Sequence, residues 1–365
     1  MNANGSLSAV GDHFLVGLRP TPELHPLDRA LLRDLQPAGV ILYKSNFRHG
    51  VPYAEWLASL RQLLADVRQA CARERLFIGI DHEGGRVTRT PPPITRFSYA
   101  AEWAPISAAV GRAMGRELAS LGVNLSFAPV LDIHSNPHNP VIGARAFGTT
   151  ADAVIAAALP FAAALEREGV LSCGKHFPGH GDTDKDSHYA LPVLQQDLEA
   201  LRARELEPFA AAIAAGIPML MTSHILIPKV DAEPVTLSRR LITGILRERM
   251  GYRGVVISDD IGMQAISGIF DDPRAAVRLL LAGCDMVMVC AHWTDTERSR
   301  GFATAMLEAE RQGELSAGVT APSRRRVREL LERTPQHPVA ALTEAALAED
   351  RAAGPLFEKE TVEVI

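Results

Sequence analysis

The stretch Lys175–Pro192, KHFPGHGDTDKDSHYALP, holds the densest group of side chains in this sequence that could do chemistry. Glycine and proline interrupt it, which indicates a polar loop. A loop this rich in titratable groups is a candidate active site, and Gly179 and Gly181 could let it move over a bound ligand. The alternative is a solvated surface loop. The titratable residues are His176, His180, Asp182, Asp184, Asp186 and His188.

One chemistry open to this loop is metal-dependent hydrolysis, because its histidines and aspartates include ligand types that zinc or a metal pair accepts. The residues in question are His176, His180, Asp182 and His188. The spacing lacks an H-x-H or HExxH pattern, and Lys175 beside His176 would repel a cation. We therefore expect no metal and no other cofactor.

Charged or titratable residues also stand directly after apolar runs elsewhere in the chain. Such groups are costly to bury unless they have a task. They are Asp81, Asp132, Lys175 with His176, His224, and Asp259 with Asp260.

Several of these residues have a structural interpretation as well. Asp260 stands where a helix N-cap is expected, and one of the Asp259–Asp260 pair would then be only a cap. Asp132 could cap a helix or organise the following loop, and His224 could be a satisfied core histidine. Asp81 opens the polar, glycine-rich run DHEGGR, for which we favour a role in binding.

The elements that must position these residues are eight short apolar runs separated by amphipathic stretches with helical spacing. Runs such as Val255-Val256-Ile257 are continuous rather than alternating, which indicates strands buried on both faces of a parallel sheet. The pattern favours a (β/α)8 barrel, in which strand ends converge on one mouth. A doubly wound sheet is the alternative, but Arg19-Pro20-Thr21-Pro22 is not a glycine-rich phosphate turn. The runs are 13–18, 39–43, 76–81, 123–132, 171–176, 218–224, 254–260 and 286–291, and the stretches are 55–72, 101–121, 151–168, 197–215, 237–250 and 273–282.

The totals are those of an ordinary globular protein: 365 residues, 47% hydrophobic and 22% charged, with a net charge of −5. This charge gives no basic footprint for nucleic acid or for an anionic membrane, so a small molecule is the expected partner, bound by a monomer or small homo-oligomer. The N-terminus lacks the pattern of a signal peptide and the four cysteines form no framework, so we expect a cytoplasmic protein. We expect one barrel domain over residues 1–335 and a tail over residues 336–365.

Four motifs together resemble glycoside hydrolase family 3, and within it the bacterial β-N-acetylglucosaminidases of cell-wall recycling. They are DHEGGRVTR (81–89), NPVIGARAFG (139–148), KHFPGHGDTDKDSH (175–188) and GVVISDDIGM (254–263). The resemblance runs from about Gly17 to Arg333 and implies the same barrel. It implies a retaining enzyme that removes terminal non-reducing N-acetylglucosamine from peptidoglycan-derived fragments, and the low aromatic content of 5% predicts that the enzyme is exo-acting.

The resemblance also implies roles for single residues. It makes Asp259 the nucleophile that forms a covalent glycosyl intermediate, and His188 the acid–base group with Asp186 as its partner. Such a carboxylate can fix the tautomer of the imidazole and raise its pKa. Sugar-binding roles are implied for Asp81, Arg89, Arg145, Lys175 and His176.

Other features bear on the substrate. Aromatic residues make up 5% of the chain and only three are tryptophan, which argues for a small pocket holding one sugar. His82, the Pro91-Pro92-Pro93 run and Ala144 depart from the family pattern, which leaves the sugar preference open. A family 3 β-glucosidase, a β-glycoside phosphorylase and a catalytically silent sugar-binding protein are the alternatives on the same barrel.

Overall fold

The computed structural model describes residues 6–183, 191–264, 266–290, 296–335 and 339–358. Eight parallel strands form a closed barrel in chain order, each paired with its sequence neighbours and β1 paired with β8. The predicted (β/α)8 barrel is therefore confirmed. The strands are β1 Phe14–Gly17, β2 Gly39–Leu42, β3 Phe77–Ile80, β4 Leu125–Ser126, β5 Leu171–Phe177, β6 Met219–Thr222, β7 Val255–Asp260 and β8 Met286–Val289.

Helices surround the barrel and connect its strands. None of those in the described residues is long and apolar enough to cross a membrane. A π-helix, Arg240–Arg249, takes the place of the crossover helix between β6 and β7. The α-helices are α1 Pro26–Leu35, α2 Tyr53–Cys71, α3 Ser107–Ser120, α4 Ala151–Arg167, α5 Leu198–Ala203, α6 Leu206–Ala214, α7 Ser267–Phe270, α8 Ala275–Ala282, α9 Thr296–Arg311, α10 Ala317–Glu332 and α11 Glu344–Arg351.

Proline accounts for two differences from the predicted elements. The run 123–132 pairs as a regular strand only over Leu125–Ser126, since Pro129 has no N–H to donate to the ladder. The predicted helix over 101–121 begins only at Ser107, two residues after Pro105. A third difference lies at Arg204, where the stretch 197–215 divides into α5 and α6.

Alternation along each strand decides which side chains reach the barrel interior. On β3 Phe77 packs inside, whereas Ile78 and Ile80 pack against the outer helices. The same spacing of two places Asp81 on the inner side just beyond β3. Cys173 on β5 and Ile257 on β7 also pack inside the barrel. Lys175 and Asp259 each follow one of them by two positions and therefore also point inward. The barrel therefore delivers predicted site residues to its mouth.

The opposite end of the barrel is closed by α10. Its Val327, Leu330 and Leu331 join the interior core. The run of arginines over residues 324–333 does not form a free cationic surface, because its five arginines pair with acidic residues. The pairs are Arg324–Glu310, Arg325–Glu329, Arg326–Asp285, Arg328–Asp12 and Arg333–Glu166.

The described part of the tail lies on the barrel. Leu347 of α11 is fully buried, and Asp350 pairs with Arg116 of α3 at 3.1 Å. The division into residues 1–335 and 336–365 stays a prediction.

Candidate active site

The mouth of the barrel receives the predicted site residues from several connections. Asp81 and Arg89 lie in the loop after β3, and Arg145 ends the 3-10 turn Gly143–Arg145 after β4. Lys175 and His176 belong to β5, and Asp259 belongs to β7. The predicted acid–base pair, Asp186 and His188, lies outside the described residues.

Lys175 joins two carboxylates at the mouth. Its Nζ lies 2.8 Å from Asp81 Oδ1 and 2.5 Å from Glu83 Oε1, and its side chain is only 3% exposed. Burial alone would lower the pKa of this ammonium, but Asp81 and Glu83 raise it above the ordinary value. Lys175 is therefore a fixed cation that ties the loop after β3 to β5.

Glu83 is a site residue that lies in the run DHEGGR but for which the sequence predicted no role of its own. Arg145 donates to both of its carboxylate oxygens, with Nε 2.7 Å from Oε2 and Nη2 2.9 Å from Oε1. Burial would raise the pKa of Glu83, but Arg145 and Lys175 hold it well below the usual range. The sequence feature that could have identified Glu83 is its position two residues after Asp81, because residues two apart in an extended chain point to the same side.

Asp132 organises the start of the histidine-rich loop. It is fully buried, and its Oδ1 accepts from the backbone N–H groups of His176 (3.1 Å) and His180 (2.7 Å). Its Oδ2 lies 2.6 Å from His176 Nδ1. If Nδ1 carries the proton, Nε2 of His176 is the ring nitrogen left for a ligand. Of the two roles predicted for Asp132, the structure shows the hydrogen-bond organiser.

Asp259 and Asp260 have different environments. Asp260 Oδ1 accepts from the N–H groups of Gly262 (3.0 Å) and Cys290 (2.9 Å), which holds the ends of β7 and β8 together. Asp259 Oδ1 accepts from the N–H of Asp260 at 2.8 Å. The second oxygen of Asp259 makes no hydrogen bond to any described residue, so it is the one left for a substrate.

The charge state of Asp259 suits a nucleophile. Burial would raise its pKa, but His224, His176, the Asp260 N–H and Lys175 lower it below the ordinary value. Burial also lowers the pKa of His224, so this imidazole is neutral near pH 7. The contributions of Lys175 and of the Asp260 N–H do not depend on a histidine being charged. Asp259 is therefore an anion near pH 7.

His224 is a satisfied core histidine, one of its two predicted roles. It is fully buried, with Nε2 3.1 Å from the carbonyl of Asp260 and Nδ1 2.9 Å from Thr236 Oγ1. A neutral ring that donates from Nε2 and accepts at Nδ1 meets both contacts. Its hydrogen bond to the Asp260 carbonyl stabilises the end of β7 beside Asp259.

The first part of the histidine-rich loop is packed rather than free. A Cβ on Gly181 would lie 1.6 Å from the carbonyl oxygen of Ile133, so the two segments touch through their backbones. Asn139 Nδ2 donates to the carbonyls of His180 (2.9 Å) and Thr183 (3.0 Å). Gly179 likewise lies against Glu205, where a Cβ would lie 3.0 Å from the Glu205 Cβ, so both glycines serve close packing, and the movement predicted for the loop stays a prediction.

The proposed metal ligands do not converge in the described part of the chain, where no group of three or more such side chains is placed to hold an ion. Asp182 instead accepts from Arg204 Nη2 and Gln196 Nε2, each at 2.6 Å. Burial lowers the pKa of His180 to about 4.

Arg89 lies beside His82 in the loop after β3. Burial and, to a lesser extent, the Arg89 guanidinium lower the pKa of His82 to about 4. Arg89 Nε is buried without a hydrogen-bond partner among the described residues. A buried donor without a partner is costly, which favours a ligand acceptor at this place. The mouth thus combines an open carboxylate with fixed cations and donors, which suits the charge development of glycoside cleavage.

Comparisons with known proteins agree with this chemistry. The model for the glycosyl hydrolase family 3 N-terminal domain matches residues 20–330. The β-hexosaminidase of Methylococcus capsulatus is 39% identical over 278 residues, which cover 74% of this chain and 80% of that protein. The β-hexosaminidase of Neisseria meningitidis serogroup C is 38% identical over 274 residues, covering 71% and 73%.

Solved structures agree as well. NagZ from Neisseria gonorrhoeae in complex with N-trifluoroacetyl-D-glucosamine superposes with a TM-score of 0.75 at 28% identity, covering 94% of this chain and 98% of that one. A family 3 β-N-acetylglucosaminidase from Paenibacillus sp. gives a TM-score of 0.82 at 33% identity, covering 96% and 68%. The chain is a glycoside hydrolase and belongs to glycosyl hydrolase family 3.

Proposed function

We propose that this enzyme is a retaining, exo-acting β-N-acetylglucosaminidase that removes terminal non-reducing N-acetylglucosamine. The observation that carries the proposal is the ionised Asp259 at the mouth. One of its oxygens is held by the Asp260 N–H, and the other accepts no hydrogen bond from the described residues. The related proteins support the choice of sugar, since they are β-hexosaminidases and one is bound to an N-acylated glucosamine.

In the proposed reaction Asp259 attacks the anomeric carbon and forms a glycosyl ester, while the bond to the aglycone breaks. His188, oriented by Asp186, gives its proton to the departing oxygen. In the second step His188 takes a proton from water, which attacks the anomeric carbon and frees Asp259. Two inversions leave the configuration at that carbon retained.

The remaining predicted residues would bind the sugar. Asp81 and Lys175 present an acceptor and a donor at the mouth, already held together at 2.8 Å. His176 offers its Nε2, while Arg89 and Arg145 supply further donors. Charge-assisted hydrogen bonds of this kind suit the hydroxyls and the amide of one pyranose.

The substrate class and setting follow from the same family likeness. We infer that the N-acetylglucosamine comes from peptidoglycan-derived fragments, recycled in the cytoplasm by a monomer or small homo-oligomer.

A panel of aryl β-glycosides tests the sugar preference. The N-acetylglucosaminide should be cleaved well ahead of the glucoside and the xyloside, and NMR should show the β-anomer of the sugar as the first product. Faster cleavage of the glucoside would contradict the proposal. Phosphate is added in a parallel arm, and a sugar 1-phosphate as the main product would identify a phosphorylase.

Asp259→Ala tests the nucleophile. Turnover should fall by at least about 10³-fold, because the variant cannot form the covalent intermediate. The matched control is Asp271→Ala, which removes a carboxylate that is 77% exposed and lies farther along the same connection. Equal activity in the two variants would refute the assignment of Asp259.

A further inference from the structure

A short segment near the C-terminus pairs with the chain that follows the triple proline. Ser98 N donates to the carbonyl of Pro355, and Phe357 N donates to the carbonyl of Arg96, each at 2.8 Å. Phe97 and Leu356 form an antiparallel bridge between these bonds. Residues 355–357 therefore act as a short strand on the strip 96–98, beyond the residues 20–330 that match the family.

The same strip binds the loop that carries the sugar-binding residues. Gly85 N donates to the carbonyls of Phe97 (2.9 Å) and Ser98 (3.1 Å). A Cβ on Gly84 would lie 2.4 Å from the Ser98 carbonyl oxygen, so the loop backbone lies directly on the strip. The strip is thus held by the tail through one set of bonds and holds the loop through another.

Aromatic packing makes a second connection between the tail and the loop. The Phe357 ring meets the Tyr99 ring edge-on at 5.4 Å, and the Arg96 guanidinium lies 5.2 Å from the Phe357 ring centre. The Tyr99 ring in turn covers Gly85, where a Cβ would lie 2.3 Å from Tyr99 Cδ1. Gly85 has a φ of +54°, which glycine adopts more easily than other residues.

From Gly85 the connection to the mouth is short. Val87 N donates to the carbonyl of Gly84 at 3.0 Å, and Glu83 N donates to the carbonyl of Val87 at 2.8 Å. This tight turn fixes the backbone of Glu83, whose carboxylate holds Lys175 and Arg145. A displacement of the turn would therefore move the charged cluster.

We propose that Pro355–Phe357 is a positioning segment for the substrate-binding loop 81–89, acting through the strip 96–98 and Tyr99. This role rests on the proposed function, since it assumes that the loop binds the sugar. Loss of the segment should weaken sugar binding, while the nucleophile on β7 is left intact. The effect should fall on KM and on inhibition by free N-acetylglucosamine.

Phe357→Ala in the full-length chain tests the aromatic connection. We expect KM for an aryl β-N-acetylglucosaminide to rise about tenfold with little change in kcat, since small misplacements of binding groups are costly. Leu356→Ala is the matched control on the same strand, because that side chain is 45% exposed. Phe357→Tyr should restore KM. A KM for Phe357→Ala that stays at the wild-type value would overturn the proposal.

Hydrogen–deuterium exchange gives a readout independent of activity. In Phe357→Ala, and in a chain ended after Gly354, the amides of residues 81–89 should exchange faster, whereas a chain ended after Glu358 should match the full-length protein. Unchanged exchange at 81–89 in both altered chains would also overturn the proposal. Failure of the proposed function itself would look different, since the wild-type enzyme would then show no activity on N-acetylglucosaminides.

Discussion

Glu83 and Arg145 form a two-point ion pair at the mouth of the barrel, with N···O distances of 2.7 and 2.9 Å. Arg145 comes from the connection after β4, and Lys175 on β5 contacts the same carboxylate at 2.5 Å. One buried anion therefore fixes two cations from different elements. This leaves both guanidinium and ammonium groups in set positions before a substrate arrives, which is the condition for tight and specific sugar binding.

Glu83→Gln should destabilise the protein and weaken sugar binding. The change leaves Arg145 and Lys175 buried with less compensating negative charge. Breaking such a buried ion pair costs about 3–5 kcal/mol of unfolding free energy, and hydrogen bonds that the glutamine amide retains would reduce this cost. Urea unfolding measures the loss of stability, and the KM of an aryl N-acetylglucosaminide should rise. Glu102→Gln, at an exposed position, is the control. Equal unfolding free energies for the two variants would show that Glu83 does not hold the cluster.

The barrel and the inward direction of Asp81, Lys175 and Asp259 could be predicted because they follow from local patterns. A buried parallel strand can be recognised as a short apolar run. Because side chains alternate along a strand, a polar residue two positions after an interior residue also faces the interior. The same spacing points to Glu83 as well, but its ion pairs with Arg145 and Lys175 could not be predicted this way. Its partners, Arg145 and Lys175, come from other parts of the barrel, and their contact with Glu83 depends on how the strands are arranged around the closed barrel.

The tail illustrates the same limit. Residues 355–357 contain no motif, and their pairing with 96–98 is a contact between distant parts of the chain. The difference between Asp259 and Asp260 is another case. Both carboxylates end β7, and only the contacts with Gly262 and Cys290 show that Asp260 is engaged in holding strand ends.

Titration of Asp259 should not change kcat/KM at any pH above about 4. The lowered pKa of Asp259 means that this carboxylate stays ionised as the pH falls towards its ordinary pKa of 3.8. Burial keeps the pKa of His82 and His180 near 4, so neither ring titrates between pH 5 and 8. We assign a limb near the ordinary histidine pKa of about 6.5 to His188, an assignment that the His188→Ala variant tests.

The His188→Ala variant checks this assignment on an aryl glycoside whose leaving group needs protonation, because a 2,4-dinitrophenolate leaves without a proton and the limb would then be absent from the wild type as well. The limb near neutral pH should disappear from kcat/KM in this variant. A limb that persists between pH 5 and 7 would assign the titration to another group.

Glu117 should make stability depend on pH in the opposite sense to an ordinary carboxylate. Burial raises its pKa to about 7, against the hydrogen bonds from Thr95 and with a further contribution from Asp350. The unfolded chain loses this proton near the ordinary 4.5, so the stabilisation is full below that pH and is lost as the pH rises to about 7.

Glu117→Gln has no proton to lose and can keep both contacts with Thr95, the backbone N–H at 2.8 Å and the hydroxyl at 2.6 Å. Its unfolding free energy should vary less between pH 4.5 and 7 and should exceed that of the wild type at pH 8 by up to about 3 kcal/mol. Urea unfolding at several pH values measures this. A variant less stable than the wild type at pH 8 would contradict the expectation.

Arg204 joins the two stems of the segment that contains His188. Its Nη2 lies 2.6 Å from Asp182 Oδ2, before the segment, and Gln196, after the segment, donates to the same oxygen at 2.6 Å. Arg204 Nε also donates to the buried Glu205 at 2.7 Å. Both stems, and with them the two ends of the segment that contains the proposed acid–base residue, are thus tied to the start of α6.

Arg204→Ala should therefore impair proton donation more than binding. The Arg204 side chain is 42% exposed, so its pair with the half-buried Asp182 contributes about 0–1 kcal/mol to stability. Loss of its pair with the buried Glu205 costs more, so urea unfolding is measured first to establish that the variant is folded. The kcat for a substrate with a poor leaving group should fall about tenfold or more, whereas a 2,4-dinitrophenyl glycoside should be cleaved at a rate much closer to wild type. Arg202→Ala, at an exposed position of α5, is the matched control. An equal fall in kcat on both substrates would mean that Arg204 does not act through the acid, because only the proton-dependent step separates the two leaving groups.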